Sequence, residues 1–145
     1  MGLDMYLKAK QWLYEEKDKE KVKAIFPDID LKVQCIEFEA IYWRKANSIH
    51  NWFVEHCQNG KDDCQTVYVD REKLEQLLKT VDEVLKDRNI EKAARILPPV
   101  SGFFFGSNQI DDYYWEDLEY TQKSLTDLLN NEKYKDLEFY YRASW

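Results

Sequence analysis

YWRKANSIHNWFVEHCQNGKDDC, Tyr42 to Cys64, is the stretch whose reading decides the fold. At roughly 100° per residue, Tyr42, Trp43, Ala46, Ile49, Phe53, Val54 and Cys57 fall on one arc, with Arg44, Ser48, Asn51 and Glu55 opposite. That spacing predicts an amphipathic helix from Tyr42 onward. His50 lies inside the apolar arc and Asn47 at its edge. A polar group facing a core needs a partner or costs roughly 1–3 kcal/mol, so the helix either holds a satisfied network or lines a cavity. The residues leave both readings open.

Working outward, Leu3, Met5, Leu7 and Ala9 alternate with Asp4, Tyr6, Lys8 and Lys10, the period of a half-buried strand. Trp12 to Asp30 is charged, has few apolar anchors and closes at Pro27, which predicts a loop carrying a short helix. Leu31, Val33 and Cys35 alternate before the phase slips to Ile36, Phe38 and Ala40, so a second strand is expected, either with a bulge near Cys35 or buried on both faces. Downstream, Gly60 suits a helix stop and Thr66 to Val69 a short strand. Asp70 stands where it can cap a helix striped by Leu74, Leu77, Leu78, Val81 and Leu85. A short helix from Ile90 should end at Leu97, because a residue before Pro98 is pushed out of helical geometry. Asp111 caps a last long helix marked by Tyr114, Leu118, Leu125 and Leu128, and Leu137 to Trp145 reads as extended. The expected architecture is a single α+β domain over residues 1–145, with a small antiparallel or mixed sheet packed against about three main helices.

Composition sets the function classes. The 145 residues carry 28 acidic and 21 basic side chains, a net charge of −7, which opposes direct binding to a bare nucleic-acid backbone. No apolar run is long enough for a membrane span or a signal peptide, and three cysteines without CxxC spacing argue for reduced thiols, so a cytoplasmic protein is expected. Five Trp, ten Tyr and seven Phe serve equally as core, stacking platform or interface anchor.

Few residues point to chemistry. His50 and Cys57 are seven apart, about 10.5 Å of helix rise, too far to share one metal ion, and no cofactor motif occurs. Cys64 beside Asp62 and Asp63 is a poor nucleophile, since neighbouring carboxylates raise a thiol pKa. Arg44, Lys45 and Asn47 beside Trp43 form a small basic and amide cluster able to grip an anion, with Trp43 as a stacking face. GFFFGS, Gly102 to Ser107, reads as a buried strand or plug, or as an aromatic wall over a ligand; if extended, Phe104 points opposite to Phe103 and Phe105.

MGLDMYL, YWRKANSIHNWFV, NGKDDC, LPPVSGFFFGS, YYWEDLEYT and the final FYYRASW together resemble a family of small proteins encoded by tailed bacteriophages and prophages. The resemblance spans nearly the whole chain, least in Trp12 to Asp30. That family carries no assigned activity, so the resemblance implies a phage accessory protein in the bacterial host cytoplasm and supplies no catalytic residues. The leading expectation is a non-catalytic protein that binds a host protein or a small anionic, nucleotide-like molecule through Trp43, Arg44, Asn47 and His50, with Phe104 and Tyr113 as walls. One rival is a small enzyme using His50 as general base, oriented by Asp63 or Asp117. Another is an aromatic surface for docking or self-association, the oligomeric state being undetermined.

Overall fold

Met5, Leu7 and Ala9 alternate with polar residues, and that row becomes the inward face of β1 (Asp4–Trp12) in the computed structural model, which describes residues 2–145. β1 pairs antiparallel on one side with β2 (Cys35–Arg44) and on the other with β4 (Glu138–Ser144). β4 in turn carries the short β3 (Val67–Val69), so a fully antiparallel sheet runs β2-β1-β4-β3. Residues directly opposite in such a ladder share a face. Ile41 and Trp43 therefore join the inward row with Phe139, Tyr141 and Ala143, all buried.

Three of the helices pack on that inward side. α2 (Asn47–Cys57) and the long pair α3 (Arg71–Asp87) and α5 (Asp112–Asn130) supply Ile49, Phe53, Leu74, Leu77, Val81, Leu118 and Leu125 to one buried cluster with the sheet. Each large apolar side chain so buried contributes about 1.5–3 kcal/mol. α4 (Ile90–Ile96) packs on α3, and its N-cap Asn89 accepts a hydrogen bond from the Lys92 amide. The fold is thus α+β with an antiparallel sheet, and the described residues form five α-helices where about three main ones were expected. The other two, α4 and α1 (Glu16–Ile25), which buries no residue, are short and lie in the two stretches where short helices were expected.

Three local expectations are corrected. The helix expected from Tyr42 starts only at Asn47: Tyr42, Trp43 and Arg44 close β2, and Lys45, at φ +57°, turns the chain between strand and helix. Tyr42 and Trp43 suit a pleated surface as well as a helical arc, so the pattern was degenerate there. The bulge lies at Ala40, where the register passes from Glu39 opposite Lys8 to Ile41 opposite Leu7, and not near Cys35, which is the first residue of the strand. Phe103 to Phe105 form a turn, with Phe104 at φ +58°. Only Phe105 plugs the core, while Phe103 and Phe104 lie outside it.

Candidate functional site

Two polar clusters grow from α2. At the N-terminal end of the helix, Asn47 is buried, and its side-chain amide donates to the carbonyls of Phe105 (3.1 Å) and Ser107 (2.8 Å) while its oxygen accepts from the Val100 amide (3.0 Å). One side chain thereby ties the 98–109 loop to the helix. The loop, the β2–α2 corner and the start of α5 enclose a cleft of about 360 Å³. This lies within the roughly 300–1,000 Å³ of small-molecule sites.

The walls of the cleft differ in charge. Arg44 and Lys45 stand on one side, both exposed. Arg44 pairs with Asp4 through one guanidinium nitrogen (3.3 Å), and among the described residues Arg44 meets no other carboxylate and Lys45 makes no ion pair. A lysine at positive φ costs on the order of 1 kcal/mol or more, a strain that concentrates at functional corners. It holds Lys45 against Gly106, where an added Cβ would come within 3.3 Å of the Lys45 side chain. Asp111, Tyr113 and Asp117, from the start of α5, complete the charged and aromatic lining. The Asp111 carboxylate is engaged as N-cap by the Tyr114 amide (3.1 Å), and Tyr113 is exposed beside it. Burial, and after it Glu116 and Asp111, push the Asp117 carboxyl up to about 7. Around neutrality this wall is therefore only partly ionised, and the two cations set the local charge.

One turn further along α2 the second cluster is closed. His50 is only 1% exposed and has both ring nitrogens engaged, Nδ1 with the Tyr141 hydroxyl (2.6 Å) and Nε2 with Asp62 (2.9 Å). Deep burial pushes Tyr141 well above its ordinary pKa, so the phenol keeps its proton and donates to Nδ1. Nε2–H then donates to Asp62, whose other oxygen accepts from the Trp145 indole (3.0 Å). Tyr141 stacks on Phe53 at 3.9 Å, and Phe105 meets the imidazole edge-on.

Of the residues singled out from the sequence, Arg44, Asn47 and Tyr113 come together at the cleft. Trp43, His50 and Phe104 do not line it. Trp43 is buried in the sheet, its indole donating to Thr121 (2.9 Å), and Phe104 is half exposed against Phe103. An enzyme using His50 as base needs that ring at an open cleft beside a carboxylate. A carboxylate is present, but it is Asp62 and not Asp63 or Asp117, and the ring is sealed. Cys57 is no nucleophile either, since burial pushes its thiol up to about 11. Among the described residues no His, Cys, Asp and Glu cluster could hold a metal ion, and no helix is long and apolar enough to cross a membrane.

Lys45 and Asp117 are the cleft residues the sequence reading underweighted. Asp117 adjoins Leu118 and follows Tyr114 by three, which places it at the flank of the buried stripe, a position where an acid is held partly desolvated. No protein-family model matches the chain, and no curated protein or solved structure is detectably similar to it.

Proposed function

We propose that this chain is a non-catalytic binding protein that takes a small anionic, nucleotide-sized molecule in the cleft between Arg44, Lys45 and Tyr113. The observation that carries the reading is a hollow of about 360 Å³ lined by the cations Arg44 and Lys45 from the β2–α2 corner and by the aromatic ring of Tyr113 from α5, together with Asp111 and Asp117. Arg44 supplies planar donors matched to a phosphate or carboxylate, Lys45 a point charge, and Tyr113 a face for a ring. Asp117 stays partly protonated and so does not cancel them. In a phage accessory protein of the bacterial cytoplasm, the reading implied by the sequence resemblance, such a site would withdraw or sense a host metabolite.

The test is calorimetric titration with adenosine monophosphate, guanosine monophosphate and inorganic phosphate, on the protein and on its Arg44→Ala and Asp117→Asn variants. Binding of at least one nucleotide that Arg44→Ala weakens about tenfold or more is expected, the scale of a lost charge-assisted contact. Ionised Asp117 repels an anion, so Asp117→Asn should bind tighter than the native protein at pH 8 and nearly equally at pH 6. Comparing the two proteins at each pH cancels the ionisation of the ligand itself. Heat signals that Arg44→Ala leaves unchanged would refute the site.

A further inference from the structure

β2 forms one edge of the sheet. Cys35–Glu39 pair with β1 on one side, and no strand lies on the other. An unpaired strand edge is a template for another extended chain, and proteins usually blunt it with a short strand, a proline or a covering loop. Neither a short strand nor a proline does so here, since β2 is ten residues long and contains no proline, and the bulge at Ala40 bounds the regular edge at that end. The opposite edge, β3, has three residues.

The two faces flanking this edge have opposite chemistry. On the core side Phe38 is half exposed at the rim of a second hollow, about 430 Å³, walled mainly by Ala40, Leu128, Tyr134 and Leu137, with Gln11, Glu39 and Lys133 also in its lining. On the outer side Glu37 and Glu39 project to solvent. Lys8 reaches only Glu37, at 3.4 Å, and Glu39 makes no ion pair among the described residues. A strand added beside β2 would send alternate side chains to these two faces, one set into the apolar hollow and the other against the glutamates.

From this we infer that the Cys35–Ala40 edge of β2 is a β-augmentation site for an extended segment of a partner protein in which apolar residues alternate with Lys or Arg. Main-chain bonds supply the affinity, the hollow beside Phe38 the apolar specificity, and Glu37 and Glu39 the charge selection. A second copy of this chain fits this stretch poorly, because an antiparallel β2–β2 pairing centred on Phe38 sets Glu37 directly against Glu39. The site is independent of the anion cleft, with which it shares no lining residue.

The probe is a blocked heptapeptide alternating Lys and Val, with its Glu and Val counterpart as control, titrated into isotope-labelled protein and followed by amide NMR and hydrogen exchange. Shifts and new slow exchange confined to residues 35–40, with side-chain shifts at Leu128 and Leu137, are expected for the Lys peptide alone. The Glu37→Lys/Glu39→Lys variant should weaken it about tenfold or more and accept the Glu peptide instead. The milder Glu37→Gln/Glu39→Gln variant, checked for native circular dichroism, should lower affinity for the Lys peptide without gaining the Glu peptide. Equal binding of both peptides, shifts away from β2, an affinity indifferent to both variants, or sedimentation showing the free protein already dimerised through β2 would overturn the inference.

Discussion

The cluster around His50 and the cleft at the start of α2 are built from neighbouring turns of one helix, yet they treat their polar groups in opposite ways. Around His50 every donor meets an acceptor: the Tyr141 phenol, both imidazole nitrogens, both Asp62 oxygens and the Trp145 indole form one unbroken chain. At the cleft, among the described residues, Lys45 meets no counter-ion, Arg44 pairs with Asp4 alone, and the buried Asp117 carboxyl makes no ion pair. Full satisfaction fixes a single arrangement and contributes stability; unmet donors beside a hollow are what a ligand completes. A buried histidine is thus a poor guide to function by itself, and the exposed corner next to it is the better one.

Substitutions sharpen that contrast. The largest effect should come from His50→Ala, which strands the Tyr141 hydroxyl and Asp62 and opens a cavity. Urea melts should show a loss of about 3 kcal/mol, with nucleotide affinity nearly unchanged wherever the protein remains folded. Asp117→Asn should act in the other direction. The folded-state pKa of Asp117 is raised from 3.8 to about 7, so the native state holds its proton more tightly than the unfolded chain. The stability this confers is fully present below 3.8 and is lost as pH rises through about 7. The asparagine variant should therefore be more stable than the native protein at pH 8, on the order of 2 kcal/mol, and show a flatter stability profile from pH 4 to 7.

Smaller effects follow. Trp43→Phe removes the indole donor to Thr121, whose own hydroxyl still donates to the Asp117 carbonyl (2.7 Å), so about 1 kcal/mol is expected in the same melts. Arg44→Ala should move the melting midpoint least of all, by less than about 0.5 kcal/mol, because its ion pair with Asp4 is exposed. A stability loss from Arg44→Ala as large as that from His50→Ala would erase the distinction between the two clusters.

Much of this architecture was legible in the chain because its periods are unambiguous. The Leu74, Leu77, Val81 stripe and the Tyr114, Leu118, Leu125 stripe each fit a helix and nothing else, and both are buried. Asp111 caps the helix it precedes, and Leu97 ends one before Pro98. The Tyr42 region failed because Tyr42 and Trp43 satisfy strand and helix alike, and only the backbone at Lys45 separates the two. That His50 faces inward could be read from its arc. Its partners could not, since Asp62 and Tyr141 are brought to it by a turn and by the last strand, 12 and 91 residues away in sequence. Tyr141 did carry a signal: a tyrosine in the inward row of a strand brings a hydroxyl that must be paired. Asp117 was noticed as a candidate orienter of His50, whereas it lines the cleft together with Lys45.

The most direct test is an amide NMR titration of the native protein with adenosine monophosphate at pH 6. Progressive shifts confined to residues 44–48, 106–109 and 111–117, with the His50, Asp62 and Tyr141 signals unmoved, are predicted. Shifts centred on His50 and Asp62, with the Arg44–Lys45 corner silent, would contradict the assignment of function to the cleft.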